Sequence, residues 1–270
     1  MNGAEAVLTS LKNEGVDVVF GYPGGAVLTL YDAVYKMKFP HILTRHEQGA
    51  VHAADGYARA TGKVGVVFAT SGPGATNLVT GISTAYTDSV PLVCITGQVA
   101  NSYIGKDSFQ EADVCGITTP ITKHNYLVKK VEDLPRVLKE AFYIARTGRP
   151  GPVVVDVAKD VFDTKLDYAY PESVHLRGYS GENIGDEREI DAVVEAIRAA
   201  KKPLVFAGGG VILSETADVL QDIVRRLGAP STATLLGLGA IPADEKGFLR
   251  CAGLPGSYGA RRALPEGAWL

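Results

Sequence analysis

The sequence predicts an α/β protein: a doubly wound, parallel-sheet domain followed by a partial second α/β region. Three observations carry that prediction. Short apolar runs alternate with stretches of helical periodicity, glycine-rich turns join run to helix, and the pattern lapses once, over residues 166–185.

Ala4–Asn13 reads as a helix and Asp17–Phe20 as a first strand, followed by the turn Gly21-Tyr22-Pro23-Gly24-Gly25. A helix over Ala26–Lys36 places Val27, Leu30, Tyr31 and Val34 on one face. His41–Leu43 is a second strand. The helix expected next, Glu47–Ala60, carries Gly49, Ala50, Ala53, Ala54 and Ala58, small enough for close packing. Val64–Ala69 is a third strand, Ser71-Gly72-Pro73-Gly74 opens another helix, and Leu92–Thr96 is a fourth strand. The next apolar run, Val153–Val157, is of the kind buried on both faces of a sheet. Strands separated by helices imply right-handed crossovers and parallel pairing.

The first domain is therefore expected over residues 1–165 and a linker over 166–185, where Pro, Gly, Ser and charged residues cluster. A second unit follows over 186–270: helix Glu187–Ala199, strand Leu204–Ala207, turn Gly208-Gly209-Gly210 and helix Ser214–Leu227. One further short strand is expected after Pro230, which leaves a thin core for an independent domain.

The chain has 270 residues and a formal net charge of -3, with no basic stripe to displace counterions from a nucleic acid. Lys129-Lys130, Lys201-Lys202 and Arg261-Arg262 are isolated basic pairs of a solvated surface. Cys94, Cys115 and Cys251 have neither metal-ligand nor disulfide spacing and are expected as buried thiols. No metal site is expected. The N-terminus lacks a charged region followed by an apolar one, and no apolar run approaches the ~20 residues of a membrane helix. A cytoplasmic protein away from membranes is the expectation.

Glycine-rich turns at helix N-termini favour anions, but none here matches a nucleotide fingerprint. Ser71–Asn77 has Asn77 where a dinucleotide motif needs its third glycine, and Gly208-Gly209-Gly210 is followed by Leu213 at that place. Gly62-Lys63 is not a P-loop, because Val64 replaces the required Ser or Thr. Glu47, between His46 and Gln48, opens a helix, where a carboxylate gains ~0.3–1 kcal/mol from the helix dipole. His46 has no partner at metal spacing, and no Gly-x-Ser-x-Gly elbow is present. Spacing alone names no enzyme.

Taken together, the motifs resemble one family, the catalytic subunit of acetolactate synthase (acetohydroxyacid synthase). They are Gly21–Ala26, His46–Ala50, Asp55–Ala60, Thr70–Asn77, Thr96-Gly97-Gln98, Phe109–Asp113, Thr122–Asn125 and Thr147–Val153, in family order. The glutamate and the Ser-Gly-Pro-Gly turn are shared with pyruvate oxidases, decarboxylases and glyoxylate carboligase. Phe109–Asp113 and Thr122–Asn125 point more narrowly.

The resemblance implies a thiamine-diphosphate enzyme that decarboxylates pyruvate and joins the two-carbon unit to pyruvate or 2-ketobutyrate, in branched-chain amino acid biosynthesis. It implies that Glu47 hydrogen-bonds N1′ of the aminopyrimidine and controls its tautomer. Tyr22 and Gly25 match residues on the thiazolium side, Gln110 one near the reacting centre, and Phe109 and Lys159 the substrate channel. Arg149 matches an arginine that contacts FAD, and Gly209 lies in the turn that opens the FAD-type central domain. Two departures matter. The family's Met-His-Gly segment along FAD stands here as Leu254-Pro255-Gly256, and Arg261 replaces a usual asparagine, so flavin binding is doubtful. The Gly-Asp-Gly signature that holds Mg²⁺ and the diphosphate is absent from these residues, so they contribute only the pyrimidine side. The expectation is an N-terminal portion of a catalytic subunit, inactive alone. In complete form it would be a homodimer or higher homo-oligomer, with a possible regulatory small subunit. The alternatives are a true short product, inactive, that only joins partner subunits, and a related pyruvate oxidase or glyoxylate carboligase.

Overall fold

The computed structural model describes residues 1–181 and 185–269. The expected linker at 166–185 and the expected end of the second region at 270 fall partly outside the described residues. Contacts divide the chain into two compact units, Met1–Asn183 and Ile184–Leu270.

The first unit runs α1 (Gly3–Asn13), β1 (Val19–Gly21), α2 (Leu28–Lys36), β2 (His41–Leu43), α3 (Glu47–Thr61), β3 (Gly65–Ala69), α4 (Pro73–Thr76) and α5 (Val79–Asp88). It continues with β4 (Leu92–Gln98), α6 (Val114–Thr118), β5 (His124–Val128), α7 (Leu134–Arg146), β6 (Pro152–Ala158) and α8 (Lys159–Asp163). The six strands form one sheet in the order β2-β1-β3-β4-β6-β5, with every pair parallel. β3, β4 and β6 are buried along their whole length, as parallel strands covered on both faces must be.

Successive side chains point to opposite faces of a strand, and each face has its own helical layer. Phe68, Ile95 and Val155 pack with Leu8 and Leu11 of α1, Leu30 of α2, and Leu138 and Phe142 of α7. Val67, Cys94 and Val154 pack with Ala50 and Ala54 of α3, Ile82 of α5 and Val114 of α6. Of the small residues on α3 expected to allow close packing, Ala50, Ala54 and Ala58 are buried, whereas Gly49 is exposed.

β5 and α7 are two elements that the apolar-run reading passes over. β5 is an edge strand whose composition is mostly polar or aromatic, so it lacks an apolar run. Cys115 is only half-buried, not a buried thiol, because it lies on the short α6 at the rim of the sheet.

The Asp55–Ala60 motif is architectural. Asp55 is 4% exposed and is held by Arg59 one helical turn on, and Arg59 also reaches Asp88 at the end of α5, 2.7 Å away. Residues 166–181 contain no helix or strand, yet tyrosines fasten them down. The Tyr168 hydroxyl lies 3.1 Å from Ser10 Oγ, Tyr170 donates to the buried Glu14 carboxylate (2.8 Å), and Tyr179 donates to the Thr147 carbonyl (3.0 Å).

The second unit comprises α9 (Glu187–Ala199), β7 (Pro203–Ala207), α10 (Gly209–Leu213), α11 (Ala217–Leu227), β8 (Ser231–Ala233), β9 (Phe248–Cys251), α12 (Tyr258–Glu266) and β10 (Ala268–Trp269). Its parallel sheet has the order β10-β7-β8-β9. The expectation of one short strand after Pro230 is corrected to three. They are two to four residues long, too short to give a periodic signal. The core is small, built around Val205, Ala207, Val224 and Ile241. α9 buries no residue, and its Ile190, Val193 and Val194 are exposed.

Arg59→Met removes the only cation that pairs with buried Asp55 among the described residues. Stranding a buried carboxylate in this way costs roughly 2–4 kcal/mol. Urea unfolding of the variant should show a midpoint lowered by the corresponding amount, and an unchanged midpoint would contradict the architectural role.

Candidate active site

Strand order reverses between β1 and β3, and loops leaving the carboxyl ends of parallel strands open a crevice at such a point. The exit from β1 is the turn Gly21–Gly25. Gly24 rests directly on Thr70, and a Cβ there would lie 2.4 Å from Thr70 Cγ2. Thr70 Oγ1 also accepts from the Ala26 amide (3.1 Å), so one threonine at the end of β3 supports the turn and the approach to α2. Tyr22, on that turn, is 39% exposed.

The exit from β2 delivers the glutamate. The Thr44 amide donates to the Gly21 carbonyl (3.1 Å) and Thr44 Oγ1 donates to the His46 carbonyl (3.0 Å). His46 is the N-cap of α3, its Nδ1 accepting from the Gln48 amide (3.1 Å). Among the described residues no group of three or more His, Cys, Asp or Glu side chains could hold a metal ion.

Glu47 begins α3 and is buried, with 7% exposure. Its Oε2 accepts from Asn77 Nδ2 at 2.9 Å. No cation pairs with it among the described residues, and Oε1 faces Gly74, 3.4 Å from where a Cβ on that glycine would stand. One oxygen is thus fixed by a neutral amide and the other is available to a donor. Asn77 is the residue that breaks the dinucleotide fingerprint. It also closes the Thr70–Asn77 segment that carries the resemblance, but no local pattern reports its contact with Glu47, 30 residues away.

The third wall comes from residues 99–113. Gly72 has φ 58°, and a Cβ there would lie 2.7 Å from the Gln110 carbonyl oxygen. Gln110 is itself left-handed, with φ 59°. The neighbouring Glu111 carboxylate folds this loop by accepting from the amides of Gly105, Lys106 and Ser108 and from Ser108 Oγ. Those backbone bonds, first Gly105 and then Ser108, hold its carboxyl below the usual range.

A cavity of about 530 Å³ opens here, and Gly25, Ser71, Phe109, Gln110 and Lys159 share its wall. Phe109 stands at 88% exposure, and Lys159, the first residue of α8, has no ion pair among the described residues. Four of the expected site residues, Gly25, Phe109, Gln110 and Lys159, therefore meet in one place. Glu47, at the start of α3, and Tyr22, on the turn after β1, do not line that cavity. Arg149 stands apart, near the amino end of β6 and so at the opposite edge of the parallel sheet. Its Nε donates to Ser89 Oγ (2.7 Å) and a terminal nitrogen to the Thr87 carbonyl (3.1 Å), closing the C-terminus of α5. Gly209 opens α10 in the second unit, where a Cβ would lie 3.0 Å from Leu236 Cβ.

Beneath the loop is a buried acid. Asp156, on β6, is 1% exposed and accepts from Thr96 Oγ1 (2.6 Å) and Gln98 Nε2 (2.9 Å). Burial pushes its carboxyl up to about 6, with the two hydrogen bonds pulling the other way.

Residues 1–117 match the family described as thiamine pyrophosphate enzyme, N-terminal TPP binding domain, and residues 190–268 match its central domain. The chain belongs to the thiamine pyrophosphate enzyme family. It is 54% identical over 269 residues to the acetolactate synthase large subunit of Haemophilus influenzae, covering 98% of this chain and 47% of that protein. The acetolactate synthase isozyme 3 large subunit of Escherichia coli is 52% identical over 267 residues, covering 98% and 46%. The large subunit of Lactococcus lactis is 48% identical over 270 residues, covering 100% and 47%. The chain spans about half the length of these curated relatives. Among the described residues, no helix is long and apolar enough to cross a membrane.

The pH dependence of stability tests the buried acid. The Asp156 carboxyl rises from 3.8 unfolded to about 6 folded, so the folded state binds its proton more tightly. That contribution is complete below about pH 4 and is lost as pH rises through 6. Two pH units correspond to roughly 3 kcal/mol. Relative to Asp156→Asn, the wild-type protein should lose stability on that order between pH 4 and 7 in urea titrations. Parallel curves would contradict the assignment.

Proposed function

We propose that this chain supplies the aminopyrimidine side of a thiamine-diphosphate-dependent acetolactate synthase. Residues 1–165 are the pyrimidine-binding domain, 166–185 the linker and 186–270 part of the central domain. The observation that carries the reading is Glu47: a buried carboxylate at the strand-order reversal, one oxygen held by Asn77 and the other open.

An aminopyrimidine ring nitrogen beside that open oxygen would share a proton with it. Glutamate suits the task by reach and charge, since aspartate is one methylene shorter and glutamine cannot take up the proton. Asn77 fixes the carboxylate rotamer so that no reorganisation is needed as the proton moves. Thiamine diphosphate, when bound, supplies the electron sink for loss of carbon dioxide from pyruvate. Tyr22 and Gly25 would lie on the thiazolium side, and Gln110 would stand near the reacting carbon. Phe109 and Lys159 line the approach, where the unpaired Lys159 ammonium suits the carboxylate of pyruvate or 2-ketobutyrate. Mg²⁺ and the diphosphate would be held by residues other than these.

Flavin has a weaker basis. Pro255 offers no amide donor, Leu254 is 94% exposed, and the Arg149 guanidinium is committed to Ser89 and Thr87. No step of the reaction is assigned to it or to Gly209. A homodimer or higher homo-oligomer, joined by a regulatory small subunit, is proposed for the complete enzyme.

A chimera tests the reading. Residues 1–270 replace the matching half of the Escherichia coli isozyme 3 large subunit, to which they are 52% identical. With thiamine diphosphate, Mg²⁺ and pyruvate the chimera should form acetolactate, and Glu47→Gln should reduce turnover about 100-fold or more, as loss of a key transition-state interaction does. A folded chimera in which Glu47→Gln retains turnover within about threefold, the scatter of a neutral change, would overturn the role of Glu47.

A further inference from the structure

Asp156 and Gln98 have no part in the chemistry described so far, yet they sit under it. Gln98 is the last residue of β4 and is 4% exposed. Both N–H groups and the oxygen of its carboxamide are engaged: Nε2 donates to Asp156 Oδ2 (2.9 Å) and to the Ala112 carbonyl (2.8 Å), and Oε1 accepts from the Val99 amide (2.9 Å). One side chain therefore grips both ends of the loop 99–113, at Val99 where it leaves the sheet and at Ala112 just before α6. Asp156 faces Thr96 across the β4–β6 ladder and fixes the carboxamide so that its two N–H groups point one to the sheet and one to the loop. Within the loop, Glu111 closes a second node on Gly105 and Ser108. Between these two nodes lie Phe109 and Gln110, with Gln110 in a left-handed conformation that a free loop would relax.

We propose that Asp156 and Gln98 are positioning residues: the buried carboxylate orients the Gln98 carboxamide, which clamps the loop that brings Phe109 and Gln110 to the cavity beside Gly25 and Lys159. Neither residue lines the cavity itself, so both act through the loop. The inference about catalysis rests on the thiamine-diphosphate reading, whereas the clamp itself stands on the hydrogen bonds.

Hydrogen exchange on the 270-residue chain and kinetics of the chimeric holoenzyme test the two parts separately. Gln98→Met keeps the shape and loses every hydrogen bond. Amides of residues 99–113 should exchange at least about tenfold faster while those of α3 and β3 are unchanged, because opening of the loop becomes easier by that factor. In the holoenzyme, turnover should fall about tenfold or more, while the concentration of thiamine diphosphate giving half activity stays within about twofold, since Glu47 and Asn77 are untouched. The double variant Asp156→Asn with Gln98→Glu separates clamping from plain stability. It restores a hydrogen bond between positions 156 and 98 but sets a carboxylate against the Ala112 carbonyl. Thermal stability should recover while loop protection and turnover do not. Unchanged exchange in Gln98→Met would overturn the clamp. Full rescue of turnover by the double variant would reduce the pair to a structural contact. Absence of pyruvate turnover in the unmutated chimera would remove the catalytic reading and leave the clamp to the exchange result.

Discussion

Burying a carboxylate without a cation is costly unless hydrogen bonds replace the water it loses, and the first unit is organised around one such group. Glu47 stands at the head of α3, where the helix amides favour negative charge, and Asn77 donates to one of its oxygens. Both conditions come from the sheet. β2 and Thr44 bring the chain to the helix start, and the end of β3 leads through the Ser-Gly-Pro-Gly turn to Asn77. A displaced register in either strand would separate acid from amide. On the proposed reading the carboxylate shares a proton with a ligand nitrogen without rearrangement, which is how electrostatic preorganisation lowers a barrier.

The same sheet supports the cavity from a different direction. β4 and β6 are buried along their whole length, and Gln98 and Asp156 are set toward their carboxyl ends. Polar groups placed so deep are fully satisfied, as they must be to persist there. Their bonds run outward into a loop that is otherwise exposed. The division of labour is simple: apolar strands give rigidity, and a few buried polar side chains pass that rigidity to Phe109 and Gln110.

Much of this was legible in the sequence, and the exceptions have physical reasons. The parallel α/β class, the strand at His41–Leu43 and the helix Glu187–Ala199 follow from apolar runs and 3.6-residue periodicity. α7 carried the same periodic signal, with Leu134, Val137, Leu138, Ala141, Phe142 and Ala145 all buried, and attention to motifs passed over it. β5 was not legible, because an edge strand needs no apolar run. Glu47 was singled out by resemblance alone, since a carboxylate in a first helical turn has an ordinary explanation. Asn77 and Asp156 needed three dimensions: their partners lie 30 and about 60 residues away in sequence, a distance that no local pattern reports. Arg149 shows the converse. Its motif matches, yet its hydrogen bonds serve the end of a helix.

The central claim is that the open oxygen of Glu47 meets the aminopyrimidine ring nitrogen. Thiamine diphosphate labelled with ¹⁵N at N1′ and bound to a holoenzyme containing residues 1–270 reports on that contact directly. The account predicts an N1′ resonance displaced from its free-cofactor position in the manner of a nitrogen sharing a proton with a carboxylate, and its return toward the free value in Glu47→Gln. An N1′ resonance at the free-cofactor position in the unmutated protein, with the cofactor demonstrably bound, would contradict it.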